Sequence, residues 1–90
     1  MTSMDEIEKK FIQNGKLITI PRKMTTKRLV LEWFRQKLLD EGDSFTEREL
    51  NEIIKRYYAD FAIIRRYLVD YKLISRDSAG MQYTVELKEN

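Results

Sequence analysis

Residues 60–85 constrain the fold of this chain more than any other segment, because a helical pattern is followed there by two strand patterns. Apolar side chains recur at helical spacing in its first half: Phe61, Ile64, Leu68 and Tyr71. This stripe predicts a helix over residues 60–71 with Asp60 as its N-cap. Alternating residues then predict strands over 73–76 and 81–85 around a Gly-containing turn. A helix that leads directly into a hairpin is typical of a winged helix-turn-helix.

A second helix is predicted just before this segment. Thr46 and Glu49 have the spacing of a capping box, in which each side chain hydrogen-bonds the backbone N–H of the other residue. The apolar stripe that follows is Leu50, Ile53, Ile54 and Tyr57. About three residues separate this helix from the next, as the turn of a helix-turn-helix requires. Upstream, we predict the longest helix over residues 25–39 and a very short strand at 44–45.

The N-terminal part predicts a short helix and one strand. Ser3 and Glu6 are spaced as a capping box, so we expect a helix over residues 4–13. The Asn-Gly pair that follows ends this helix, because Gly accepts the left-handed conformation. Residues 16–20 are rich in β-forming side chains and predict a strand that Pro21 closes. This strand either completes the sheet of its own domain or pairs with another chain.

These elements predict one α+β domain of the winged helix-turn-helix type, with about four helices and a small antiparallel sheet. A chain of 90 residues has the length of a single domain. Within it we expect an N-terminal helical extension over residues 1–15, the winged-helix-like domain over 16–86 and a flexible tail over 87–90. The unbroken apolar runs are too short for a membrane-spanning helix, so we expect no membrane partner.

Composition argues against an enzyme. The chain has no Cys and no His, which removes thiolate chemistry, the commonest general base and the commonest metal ligand. It has only three Gly residues, too few for a Gly-rich phosphate loop. The carboxylates have structural explanations, since Glu49 belongs to a capping box and Glu47 and Glu52 suit an exposed helix face. We therefore expect no catalytic residue, no cofactor and no metal. The acidic N-terminus is unlike a secretory signal, so we expect a cytoplasmic location.

Charge is distributed unevenly, although the net charge is only +2 from 17 Lys and Arg against 15 Asp and Glu. Basic residues gather between Pro21 and Asp40: Arg22, Lys23, Lys27, Arg28, Arg35 and Lys37. One face of the molecule is therefore expected to be basic, as the surfaces that bind nucleic acid are.

Arg65 and Arg66 are the sharpest candidates for contact with DNA. In a winged helix, their helix enters the major groove, where Arg donates to guanine O6 and N7 or holds a phosphate. The alternative is that both side chains face water, or that Arg66 pairs with Asp70 four residues on.

Four further cations are candidates for phosphate contact. Lys27 and Arg28 lie near a helix start, whose free N–H groups also attract phosphate. Arg76 lies in the predicted hairpin, and Lys72 lies between the helix and that hairpin. The alternative for Lys27 and Arg28 is a solvated basic surface. The alternative for Arg76 is a charge at a strand edge that discourages aggregation.

Four segments carry a resemblance to a known family: LITIP, KRLVLEW, FTERELNEIIKRY and DFAIIRRYLVDYKLISR. Over residues 16–83 the chain resembles the DUF2087 domain, a bacterial domain of unknown function. That domain occurs alone or fused behind an ArsR-like helix-turn-helix, so the resemblance implies a link to transcriptional regulation. It implies no catalytic residue and singles out six positions: Asn51, Arg65, Arg66, Asp70, Tyr71 and Arg76. Where the chain has Lys72, the family commonly has Gly. We expect Lys72 either to accept the left-handed conformation or to end the helix differently.

These features predict a bacterial, cytoplasmic, DNA-binding transcriptional regulator. Double-stranded DNA is the expected partner. A homodimer is expected as well, because two half-sites raise the specificity of one small recognition helix. The alternative is a protein-interaction or effector-sensing regulatory module that does not contact DNA.

Overall fold

The computed structural model describes residues 4–87, which form four helices and five short strands. The helices are α1 (Met4–Phe11), α2 (Met24–Glu41), α3 (Glu47–Lys55) and α4 (Phe61–Asp70). The strands are β1 (Ile12–Gln13), β2 (Lys16–Leu17), β3 (Ser44–Thr46), β4 (Ile74–Arg76) and β5 (Gln82–Val85). The fold is α+β, as the sequence predicts. None of the helices in residues 4–87 has the length and apolar character that crossing a bilayer requires.

A three-stranded antiparallel sheet in the order β3-β5-β4 forms from the C-terminal hairpin and one earlier strand. Tyr83 lies in the central strand, opposite Phe45 on one side and Arg76 on the other. The predicted hairpin is thus confirmed, and the strand predicted at 44–45 pairs with it. The order α2–β3–α3–α4–β4–β5 is compatible with a winged helix.

The N-terminal strand is shorter than predicted and does not join the main sheet of its own domain. Only Lys16–Leu17 forms a strand, and it pairs with Ile12–Gln13 of the same chain rather than with the three-stranded sheet. Asn14 and Gly15 connect the two strands with φ values of 55° and 77°. Positive φ at both positions is what a type I′ hairpin turn requires. The Asn-Gly pair therefore turns a hairpin, and α1 ends before it. The predicted cap residue Ser3 and the tail residues 88–90 lie outside the described range.

The starts of α3 and α4 follow their sequence signals. Thr46 Oγ1 accepts from the Glu49 N–H at 3.1 Å, and the Thr46 N–H donates to Glu49 Oε1 at 2.8 Å. This reciprocal pair is the predicted capping box. At the start of α4, Asp60 Oδ1 accepts from the Ile63 N–H at 3.4 Å. Residues 56–60 separate the two helices, a slightly longer turn than predicted.

One apolar core joins the helices to the sheet. Its fully buried side chains come from all four helices, from the sheet and from the turn before β4: Ile7, Val30, Leu31, Phe34, Leu38, Leu50, Ile54, Ile64, Leu68, Leu73, Ile74 and Tyr83. Trp33, Phe34 and Tyr57 pack edge to face, with ring centres between 5.1 and 6.2 Å apart. Trp33 Nε1 also donates to Glu8 Oε2 at 3.1 Å. Through this bond and the buried Ile7, α1 shares the core of the domain.

A Schellman motif connects α4 to β4. The Leu73 N–H donates to the Leu68 carbonyl at 2.9 Å, and the Lys72 N–H donates to the Val69 carbonyl at 3.0 Å. Lys72 has a φ of 62°, so it adopts the left-handed conformation that favours Gly. The first of the two expected alternatives for Lys72 is therefore the one that occurs. Leu68 and Leu73 are fully buried, as the hydrophobic pair of this motif commonly is.

Lys72→Gly should stabilise the protein, because glycine has no Cβ to oppose the left-handed conformation. We expect the free energy of unfolding in urea to rise by about 0.5–1 kcal/mol. Lys72→Ala is the matched control, since it shortens the side chain but keeps the Cβ, and it should leave stability nearly unchanged. An equal gain in both variants would show that the backbone of Lys72 is not strained.

Candidate nucleic-acid interface

A groove lies between the outer face of α4 and the β4–β5 hairpin. Ile64 and Leu68 face the core and are fully buried, so other residues of α4 face outward. The groove encloses about 620 Å³, and three arginines line it: Arg65, Arg66 and Arg76. The fold thus brings together the arginine pair predicted to contact bases and the hairpin arginine predicted to contact phosphate.

Arg65 is held by residues of α3. Its Nη1 donates to Asn51 Oδ1, and its Nε lies 4.0 Å from Glu47 Oε1. Glu47 and Asn51 are four residues apart and therefore lie on the same face of α3. The Arg65 side chain is only 23% exposed. Arg65 therefore ties α4 to α3.

Glu47 connects Arg65 to the sheet. The Tyr83 hydroxyl donates to Glu47 Oε1 at 2.6 Å, and Tyr83 is only 2% exposed. Burial raises the pKa of this hydroxyl, the bond to Glu47 raises it further, and Arg76 partly opposes both effects. The polar network consists of Asn51, Arg65, Glu47 and Tyr83, and it links α3, α4 and β5.

Two members of the polar network are not found by the sequence interpretation. Glu47 lies on an exposed helix face, as predicted, with a side chain that is 46% exposed, but its bond from Tyr83 and its approach to Arg65 are not predicted. Tyr83 carries no polar signal in a strand of alternating residues. A signal for Glu47 was available in its spacing. Glu47 lies four residues before Asn51, a position that the family resemblance singles out, so both side chains lie on the same face of a helix.

Arg66 differs from its neighbour. It is exposed and makes no hydrogen bond or ion pair within residues 4–87. The pair with Asp70 that helical spacing allows is not formed in that part of the chain. The guanidinium N–H donors of Arg66 are therefore available to a ligand.

Arg76 reaches the groove from the opposite wall. It is exposed, lies on β4 and faces Tyr83 in the strand register. Asp60 and Asp70 line the same groove at the two ends of α4. The positive charge is therefore confined to the middle of the groove. Within residues 4–87, no three acidic side chains lie close enough together to hold a metal ion.

Arg28 and Lys72 lie on an adjoining surface. They line a cavity of about 440 Å³ between the start of α2 and the end of α4. Asp70 lines both this cavity and the groove, so the two surfaces meet there. Arg28 Nε also lies 3.4 Å from Glu32 Oε2 on the next turn of α2. Part of the charge of Arg28 is therefore neutralised within the protein.

Lys27 packs against α4. Its Nζ lies 4.5 Å from the centre of the Tyr67 ring, which is a cation–π contact. Lys27 is half-buried as a result. A phosphate at Lys27 would compete with the Tyr67 ring.

A family model described as an uncharacterized protein conserved in bacteria, DUF2087, matches residues 16–85. The chain belongs to the DUF2087 family. Searches among curated proteins and among solved structures gave no significant match. Two positions that the DUF2087 resemblance singles out, Asn51 and Arg65, contact each other. Four of the six positions line the groove: Arg65, Arg66, Asp70 and Arg76. The matched residues therefore include the whole polar network and the groove.

Alkaline pH should destabilise the protein through Tyr83. Because folding raises the pKa of its hydroxyl, the resulting stabilisation is complete below the ordinary pKa of 10.0. It is lost as the pH rises from there through the pKa of the folded state. Tyr83→Phe has no ionisable group at this position, so its unfolding free energy in urea should fall less between about pH 9 and about pH 11. Parallel curves for the two proteins would contradict the burial of the hydroxyl.

Proposed function

We propose that this protein is a cytoplasmic transcriptional regulator that binds double-stranded DNA, with α4 as the recognition helix. One observation carries the proposal: Arg66 and Arg76 are exposed on opposite walls of one groove, and neither forms an ion pair within residues 4–87. Guanidinium groups with free N–H donors bind phosphate and the guanine edge in two-point contacts. The element order, which is compatible with a winged helix, supports the same use of α4.

The dimensions of α4 suit the major groove of DNA. Its ten residues span about 15 Å, and the major groove, about 12 Å wide, admits one helix. Ala62 and Arg66 lie on the face of α4 that lines the groove. The short side chain of Ala62 lets DNA approach the helix closely, and the long side chain of Arg66 reaches it from the next turn. In this arrangement Arg66 contacts a phosphate on random-sequence DNA, and Arg76 contacts a neighbouring phosphate from the hairpin.

Further cations extend the proposed contact beyond the groove. Lys72 and Arg28 adjoin it through Asp70 and contact phosphates of the flanking backbone. Lys27 contacts a further phosphate once its ammonium group moves away from the Tyr67 ring. Asp70 repels phosphate at the end of α4, which limits the number of phosphates that one copy neutralises. The proposed affinity is therefore moderate and falls as salt concentration rises.

We also propose that two copies bind one DNA site. A single helix of ten residues contacts few base pairs, and a second half-site multiplies the specificity. The expected target is a palindromic sequence whose half-sites lie about one helical turn of DNA apart.

A regulatory module that senses a small molecule is the second candidate function. The cavity between α2 and α4 favours it, since about 440 Å³ is within the size range of ligand pockets. Met24 and Tyr71 supply apolar surface there, and Met24 is 70% exposed. Lys72 and Arg28 add positive charge to the same cavity.

Affinity for random-sequence duplex DNA across a salt series tests the proposed function. Each phosphate that the protein neutralises contributes about −0.9 to the slope of log K against log salt. We expect wild-type binding to weaken steeply with salt. Arg66→Ala should weaken binding at every salt concentration and make the slope shallower by about 0.9, because one phosphate contact is lost.

Lys9→Ala is the matched control for this experiment. It removes one positive charge from an exposed position on α1, outside the groove, and should leave both the affinity and the slope unchanged. Absence of binding even at low salt, or equal losses in the two variants, would rule out DNA binding through α4.

A further inference from the structure

We infer that the two adjacent arginines of α4 have different roles: Arg65 is a positioning residue that fixes α4, and Arg66 is the residue that contacts DNA. The inference rests on the proposed DNA binding and deepens it by dividing a pair that looks equivalent in the sequence. The two side chains differ in the contacts that they make within the protein.

Arg65 is already engaged on two sides. Asn51 accepts from its Nη1, and Glu47 lies 4.0 Å from its Nε. If Arg65 turned toward a DNA phosphate, Asn51 would lose its donor in a partly buried site and Glu47 would lose its nearby positive charge, which is unfavourable. Arg66 is exposed and exchanges only water for DNA when it makes a contact. Moving the guanidinium group of Arg65 toward DNA therefore breaks contacts within the protein, and moving that of Arg66 does not.

The partners of Arg65 are themselves held in place. Glu47 is the first residue of α3, directly after the cap residue Thr46, where its negative charge also suits the helix N-terminus. It accepts a hydrogen bond from Tyr83, which is nearly completely buried in the central strand. Contacts therefore run from Arg65 through α3 to the sheet from which Arg76 projects.

The polar network consequently sets the position of α4 relative to the hairpin. Arg66 projects from α4 and Arg76 from β4, so the distance between them depends on how the two elements are held together. Binding groups must be held within about 0.5 Å of their productive positions by supporting residues. Loss of one network member should therefore reduce DNA affinity without removing any contact with a phosphate.

Four variants separate positioning from contact: Arg65→Ala, Arg65→Lys, Asn51→Ala and Arg66→Ala. Affinity for duplex DNA is measured in a salt series well below the Tm of each variant, where every protein is folded and lower stability alone has no effect. We expect the two Arg65 variants and Asn51→Ala each to weaken binding about tenfold with an unchanged salt slope. The double variant of Asn51→Ala and Arg65→Ala should bind no more weakly than either single variant. Arg66→Ala should instead make the slope shallower by about 0.9.

Arg65→Lys and Asn51→Ala supply the decisive comparison. Lysine keeps the positive charge and can contact a phosphate, but it lacks the rigid fork that serves two partners on α3. If Arg65→Lys and Asn51→Ala both bind DNA as tightly as the wild type, the contacts between Arg65 and α3 do not position α4 for binding, and the inference is wrong.

Thermal unfolding tests the structural role of Arg65 separately from DNA binding. If the wild type binds no DNA, the proposed function and the role of Arg66 fail, but the coupling of Arg65 to Asn51 is still measurable. Residues of one network lose stability non-additively, so the double variant of Asn51→Ala and Arg65→Ala should lower Tm by less than the sum of the single losses. Additive losses would overturn the positioning role of Arg65.

Discussion

A buried tyrosine hydroxyl that needs a partner organises the part of this protein that contains the candidate site. Tyr83 lies in the central strand and is 2% exposed, where a hydroxyl left without a partner costs about 1–3 kcal/mol. Glu47 accepts its hydrogen bond at 2.6 Å and also faces Arg65. The sheet, α3 and α4 are thereby joined by one series of polar contacts. The geometry of the groove, and any use of Arg66 and Arg76 as a pair, depends on this connection.

Most of the fold could be predicted because its signals are local. The capping box before α3 and the N-cap at Asp60 each involve residues three positions apart, and the hairpin follows from alternation along short strands. The N-terminal segment shows the limit of such signals. An Asn-Gly pair suits both a helix end and a hairpin turn. In the folded protein the second strand is held by a bond from the Leu17 N–H to the Tyr57 carbonyl at 2.8 Å, which no local pattern contains.

The arginines that line the groove stand out in the sequence, but their contacts do not. Arg65 and Arg66 carry the same charge on the same helix, and the sequence offers no reason to treat them differently. Their difference comes from Asn51 and Glu47, which α3 brings to Arg65 and not to Arg66. A glutamate in a polar network and a glutamate in water have the same local pattern, so Glu47 could not be recognised before the elements were packed. Lys72 is the opposite case, because its place after a predicted helix end limits it to two alternatives, of which the left-handed conformation occurs.

The division between the two arginines is most directly tested by nuclear magnetic resonance of their guanidinium Nη–H groups. At low temperature and mildly acidic pH, we expect distinct Arg65 Nη–H signals that exchange slowly with water, because Nη1 donates to Asn51 Oδ1 in a partly buried site. Arg66 is exposed, so its signal should exchange rapidly. Asn51→Ala should speed the exchange of Arg65 and leave Arg66 unchanged. Equally rapid exchange of both arginines in the wild type would contradict the central role of the network.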